Sequence, residues 1–198
     1  SPAPRHSRPI SVPARCSVPD APGLELILSD INAETPGAVL DTSFDREQAA
    51  LIVDPAHVLA VLGWLKDTPG QEYTFMASVH GADYLPGEPR FAVHYEMLNR
   101  ERYERLRVKA VLPDPAAGDS DPDSLPHLDS CVGLFPTAEF QEREVYDFFG
   151  IVFDGHPDLR RILMPDDYVG WPQRRDFPVG GEPVIFTRDE VTNPGWWQ

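Results

Sequence analysis

The residue types best suited to chemistry crowd into one stretch, residues 139–163. Glu142, Glu144 and Asp147 are carboxylates on a predicted helix, and His156 follows shortly after. Carboxylates beside an imidazole are the groups that serve general acid–base catalysis or metal binding. The spacing argues otherwise. Residues two apart on a helix point to different sides, so Glu142 and Glu144 do not converge on one substrate atom. Arg143 lies four residues before Asp147 and four after Glu139, which predicts intrahelical ion pairs. His156, directly before Pro157, reads as a hydrogen-bonding turn residue, because one imidazole leaves a metal short of ligands. His6, His57, His80, His94 and His127 are scattered, and none shows His-x-x-x-His spacing.

Other candidate chemistry is equally thin. Residues 113–126 carry Asp114, Asp119, Asp121 and Asp123 among prolines, without the glycine and glutamate spacing of a calcium loop, and read as a solvated insertion. Cys16 and Cys131 are too far apart in sequence for a Cys-x-x-Cys zinc or redox site, and two thiols cannot ligate a four-thiolate iron–sulfur cluster. There is no glycine-rich phosphate loop, no Gly-x-Ser-x-Gly elbow and no dinucleotide fingerprint. No catalytic, cofactor-binding or metal-ligating residue is predicted on this chain. Residue types alone leave one enzymatic alternative, a free-standing metal-dependent hydrolase using His156, Asp158 and the carboxylates of residues 113–126.

The same stretch suits recognition better. Phe148, Phe149, Ile151 and Phe153 stand beside Glu142, Arg143, Glu144 and Asp147, so burying the rings draws charge toward low dielectric, where unpaired ions are costly. Arg160-Arg161 and Arg174-Arg175 sit beside Leu159, Ile162, Leu163, Trp171 and Phe177. Guanidinium forks next to apolar anchors are favoured at protein interfaces. Trp196-Trp197 point the same way, since exposed tandem indoles need a cover. The expectation is that the polar and aromatic residues past Phe140 are satisfied by another polypeptide.

Composition narrows the partners. A net charge of -15 disfavours general nucleic-acid binding and direct docking on anionic membranes, and favours a partner with basic surface. No apolar run approaches the ~20 residues of a membrane span. Two isolated cysteines fit a reduced compartment, and residues 1–9 lack the hydrophobic core of an export signal.

These groups must be positioned by a fold, and the patterning predicts α+β: a two-layer sandwich of helices on a small, mostly antiparallel sheet, with a long extended C-terminal tail. Residues 1–23, rich in Pro, Ser and Arg, read as a disordered arm. The ordered domain spans 24–153. It starts with a helical or mixed segment over 24–31, and residues 39–51 are ambiguous. Residues 50–53 read as a strand, followed by a helix capped by Asp54 with Pro55 in its first turn and Val58, Leu59, Val61, Leu62 and Leu65 on its apolar side. Period-2 alternation then predicts strands over 73–79, 90–98 and 105–112, the first two joined by a turn at 85–89. A helix over 136–149 stops at Gly150. Prolines interrupt residues 154–198, which read as a coreless partner-binding tail.

At these residues the chain resembles the C-type subunit, also called the 30 kDa subunit, of respiratory NADH:quinone oxidoreductase (complex I). The family signature is met by Glu142-Arg143-Glu144-Val145-Tyr146-Asp147-Phe148-Phe149-Gly150-Ile151, by Gly155-His156-Pro157-Asp158-Leu159-Arg160-Arg161-Ile162-Leu163, and by Gly170-Trp171-Pro172-Gln173-Arg174-Arg175-Asp176-Phe177-Pro178. Weaker similarity reaches back to about Ala50 and includes Gly81-Ala82-Asp83-Tyr84. Departures are Glu139-Phe140 for the usual Asn-Trp, Gln173 for Leu and Phe177 for Tyr, and the ending 193–198 is unfamiliar.

The resemblance implies a non-catalytic structural subunit in the peripheral, quinone-reducing arm of a proton-translocating NADH:quinone oxidoreductase. FMN, iron–sulfur clusters and quinone would lie in partner subunits, and the tail would cross the large D-type quinone-site subunit, with the B-type iron–sulfur subunit as neighbour. The chain would sit on the cytoplasmic side of the plasma membrane, peripherally, through those partners. Glu142, Arg143, Glu144, Tyr146, Asp147, His156, Asp158, Arg160, Arg161, Arg174, Arg175 and Asp176 would form the subunit contact network, with Arg160 pairing a buried partner charge in docking, so that Arg160→Ala would cost about 3–5 kcal/mol of docking. The family also recurs in membrane-bound hydrogenases and in quinone dehydrogenases with other electron donors.

Overall fold

A computed structural model describes residues 17–115 and 124–178. Cys16, the rest of residues 1–16, Asp119, Asp121, Asp123 and the tandem tryptophans lie outside the described residues. Helix α1 (Ala21–Glu34) is followed by strands β1 (Val39–Asp45) and β2 (Gln48–Val53), a 3-10 turn at Pro55–His57 and helix α2 (Val58–Asp67). Strands β3 (Phe75–Asp83), β4 (Phe91–Asn99) and β5 (Glu104–Leu112) complete the main sheet. Strand β6 (His127–Asp129), helix α3 (Glu139–Phe149) and strand β7 (Val152–Asp154) follow.

The five-stranded sheet runs β1-β2-β5-β4-β3, antiparallel except for the parallel pairing of β2 with β5. A separate parallel pair, β6 and β7, flanks α3. One face of the main sheet is the core. Leu51, Val108, Tyr95 and Val79 lie across from one another in register, all buried, and α2 adds Val58, Val61, Leu62 and Leu65. Each fully buried aliphatic side chain contributes about 1.5–3 kcal/mol. The α+β sandwich on a mostly antiparallel sheet is as the patterning predicts.

Several boundaries differ. Helix α1 begins at Ala21, because the Asp20 side chain caps it by accepting from Gly23 N at 2.8 Å and Pro22 fits its first turn. Ser17 already bridges to Glu104, so residues 17–23 belong to the folded body rather than to an arm. The ambiguous residues 39–51 form the β1–β2 hairpin, whose outer strand is mostly exposed. After β7, residues 155–178 form a turn-rich strap that folds back on the domain and buries Trp171.

Candidate functional site

Helix α3 ends at Gly150, whose φ of 68° is left-handed. A Cβ there would lie 2.5 Å from Trp171 Cε2, so glycine serves both the helix stop and the seating of the indole. That seat brings the strap across the last turn of α3, where Asp147 is 0% exposed. Its Oδ1 accepts from Arg161 Nη1 at 2.7 Å, and its Oδ2 accepts from the backbone amides of Ile162, Leu163 and Met164 at 3.1, 2.7 and 2.8 Å. Burial pushes the Asp147 carboxyl upward, but the three amides and the Arg161 guanidinium outweigh it and hold its pKa below the ordinary value. Three consecutive N–H groups aimed at one oxygen form an anion nest, here filled by the chain's own side chain.

The rest of α3 is committed in the same way. Arg161 also donates to the Asp147 and Gly170 carbonyls and lies over the Trp171 ring. Arg143, buried, donates to the carbonyls of Arg160 and Arg161 at 3.2 and 3.1 Å. The intrahelical pairs expected with Glu139 and Asp147 do not form, because the strap offers Arg143 two carbonyls and gives Asp147 a better set of donors. Glu142, also buried, accepts from Ser130 Oγ at 2.6 Å and Cys131 N at 2.8 Å, tying the loop after β6 to the helix. Burial beside this carboxylate pushes the Cys131 thiol far up, so it stays protonated. Tyr146 meets Trp171 edge-on at 5.4 Å. Glu144 faces out, beside a groove of about 320 Å³ between α3 and β3.

His156 is a turn residue: its Nε2 lies 3.0 Å from the Glu139 carbonyl and its Nδ1 accepts from Asp158 N at 3.0 Å. That pair of partners has Nε2 donating and Nδ1 accepting. Asp158 and Arg160 pair at 2.9 Å with side chains 48% and 68% exposed. Among the described residues, Arg160 therefore neutralises no buried charge. The residue that does is Arg161, one position on.

A second centre, missed at the sequence level, lies where the strap leaves α3. Arg90, buried, grips Asp83 through Nε–Oδ1 at 3.1 Å and Nη2–Oδ2 at 2.9 Å, Asp114 at 2.6 Å and Asp176 at 2.7 Å. Arg175 N donates to Asp83 Oδ2, while Arg174, buried between Phe91 and Trp171, donates Nε to the Phe149 carbonyl at 2.7 Å. Burial drives the Arg174 pKa below its ordinary value, with Asp114 opposing. Its Nη2 and the Asp114 Oδ1 are buried without partners among the described residues. The signal was legible in principle: Asp83 closes β3 and Arg90 precedes β4 across one tight turn, and Asp114 follows β5, the neighbour of β4.

Thus Glu142, Arg143, Asp147, His156, Arg161 and Arg174 are brought together inside the chain and Asp176 pairs with Arg90 from the surface, whereas Glu144, Asp158, Arg160 and Arg175 remain exposed. The expectation that another polypeptide alone satisfies these groups is corrected: the strap supplies the donors and acceptors. Beside these exposed charges it also leaves apolar side chains uncovered. Ile162, Leu163 and Val169 on the strap and Phe140 on α3 are exposed, Val169 by 76%. Among the described residues no group of three His, Cys, Asp or Glu side chains is arranged to hold a metal ion, and no helix is long and apolar enough to cross a membrane.

Residues 51–183 match the family described as respiratory-chain NADH dehydrogenase, 30 Kd subunit. The chain is 42% identical over 177 residues to the C-type subunit of the NADH-quinone oxidoreductase of Saccharopolyspora erythraea, covering 88% of this chain and 66% of that relative. It is 44% identical over 140 residues to the corresponding subunit of Herpetosiphon aurantiacus, covering 71% and 77%, and 38% identical over 161 residues to that of a Roseiflexus species, covering 81% and 87%. It thus spans about two thirds of the length of the Saccharopolyspora relative. Among solved structures it is similar to a chain of the membrane-bound sulfane sulfur reductase, an archaeal respiratory membrane complex, with a TM-score of 0.59 and 25% identity over 78% of this chain and 85% of that one. The motif residues of α3 and the strap all lie inside the matched span, and the chain belongs to the family of the 30 kDa subunit of respiratory-chain NADH dehydrogenase.

Proposed function

We propose that this chain is a non-catalytic structural subunit of the peripheral, quinone-reducing arm of a proton-translocating NADH:quinone oxidoreductase. It docks subunits that carry the clusters and the quinone, the large D-type quinone-site subunit and the B-type iron–sulfur subunit, and is held by them on the cytoplasmic side of the plasma membrane. FMN, iron–sulfur clusters and quinone belong to those partners. The observation that carries this reading is the strap: its amides at 162–164 and the Arg161 guanidinium are tied to Asp147 within the chain, while Leu163, Val169 and Ile162 are held outward. Apolar side chains on a rigid, hydrogen-bonded support make a preorganised interface, which lowers the ordering cost of association. The hydrolase alternative loses its base, since both His156 nitrogens are engaged.

A second reading, the equivalent subunit of a related complex with another redox partner, is favoured by the similarity to a sulfane sulfur reductase chain. Affinity purification of the tagged chain from detergent-solubilised membranes tests both. Co-purification of D- and B-type subunits with NADH:quinone activity is the expected result. Co-purification with hydrogenase- or sulfur-reductase-type subunits and no NADH oxidation would establish the second reading, and recovery of the chain alone would refute both.

A further inference from the structure

The core covers one face of the main sheet, and the middle of its other face carries a row of cations on the central strand β5. Residues of β5 whose side chains alternate with core Leu106, Val108 and Ala110 are Arg105, Arg107 and Lys109. Five of the chain's 17 Lys and Arg residues fall within positions 100–109, in a protein of net charge -15. Against the three cations stand Glu96 on the neighbouring β4, which pairs with Arg107 Nε, and, out on the edge strand β1, Asp41 and Asp45, which the register places on the same face without an ion pair to β5 among the described residues.

The other two cations have no carboxylate partner among the described residues. Arg105 reaches the Glu47 carbonyl, at 3.3 Å, and the Lys109 ammonium lies 4.2 Å from the Tyr84 ring centroid. Lys109, His94 and His80 form one row across three strands, with the two imidazoles stacked at 5.0 Å. His94 Nε2 is 3.0 Å from Tyr84 Oη, and its buried Nδ1 has no partner among the described residues.

We propose that this open face docks an acidic, extended segment of a neighbouring polypeptide, laid along β5 so that its carboxylates meet Arg105 and Lys109. Alternate residues of a strand repeat at roughly 6.6–6.8 Å, so a segment with Asp or Glu at every second position matches the spacing of the cations. Charge complementarity sets the register of the segment, and the same cations reject a basic one.

This inference rests on the subunit reading, and the test separates the two. The complex is isolated through a tag on the wild-type chain and treated with a carbodiimide, which joins ammonium to carboxylate without a spacer, and cross-linked peptides are mapped. In parallel the Arg105→Glu/Lys109→Glu double variant is compared with Arg46→Glu, an exposed change at the β1–β2 turn. Expected are a Lys109 cross-link to an Asp- or Glu-rich peptide of a different subunit, and retention of the double variant reduced roughly tenfold or more, more steeply at high salt, with Arg46→Glu unaffected. Thermal unfolding of the purified double variant close to wild type excludes misfolding as the cause. Equal retention of wild type and double variant, or Lys109 cross-links confined to this chain or a second copy, overturns the proposal. A wild-type chain that brings down no other subunit removes the subunit reading itself, and this proposal with it.

Discussion

Replacing Asp147 by Asn isolates the central joint. The substitution keeps size and removes the charge that the amides of Ile162, Leu163 and Met164 and the Arg161 guanidinium all address. The new NH2 must also face donors on one side or the other. Removing one partner of a buried, hydrogen-bonded ion pair costs about 3–5 kcal/mol. Arg161 still has the carbonyls of residues 147 and 170, which places the expectation toward the lower end. Because the strap carries few other buried groups, the cost falls mainly on the local equilibrium that opens residues 155–178. At about 1.4 kcal/mol per tenfold, amide exchange at 162–164 should accelerate by roughly two orders of magnitude or more. Hydrogen exchange read by mass spectrometry or NMR measures it directly, with Asp158→Asn, an exposed pair, as a control that leaves these amides unchanged. Exchange within about threefold of wild type in Asp147→Asn would refute the reasoning. The pH dependence has a definite sign. Because the folded-state pKa of Asp147 lies below its ordinary 3.8, this contribution is complete above that value and is lost as pH falls through the folded pKa.

Gly150→Ala forces a left-handed φ on an L side chain and drives a Cβ into the Trp171 indole, so the urea midpoint should fall by an equivalent of about 2–4 kcal/mol with a red shift in tryptophan emission. Arg90→Met leaves Asp83 and Asp114 buried without their cation and should cost about 3–5 kcal/mol in chemical denaturation, and Arg90→Lys should not restore it, because an ammonium cannot grip Asp83 bidentately. Arg160→Ala should change folding stability by less than about 1 kcal/mol, since its ion pair with Asp158 is exposed. His94, held to a pKa of about 3 by burial first and by His80, Arg107 and Lys109 next, should show no ring protonation by NMR between pH 8 and about 4.5; below its ordinary 6.5 the unfolded chain takes up a proton that the folded chain refuses, so this site lowers stability as pH falls from 6.5 toward 3.

Elements whose signal is local were legible in the sequence. Alternation along β4 and β5, the Asp54-Pro55 start before α2 and the Gly150 stop after α3 each state their structure within a few residues. Strand β1 was not legible, because an edge strand with one covered face at one end only has little alternation to show. The parallel pairing of β2 with β5 depends on a crossover through α2, β3 and β4 that no local pattern encodes. The motif residues of the candidate site were all identified, yet their partners were misassigned. Arg143 and Asp147 have helical spacing for each other, and the strap overrides it with carbonyls and amides 14–18 residues away. Proline-rich sequence without periodicity reads as coreless; here the prolines shape turns that let Trp171 and Arg161 bury against α3.

That the strap is folded by its own domain and offers its apolar side chains to partner subunits is tested most directly by hydroxyl-radical footprinting of the free chain and of the isolated complex, because this reports side chains one by one. Trp171 is expected to be protected in both states, with Leu163 and Val169 reactive in the free chain and shielded in the complex. A reactive Trp171 in the free chain, or Leu163 and Val169 equally reactive in both states, would contradict it.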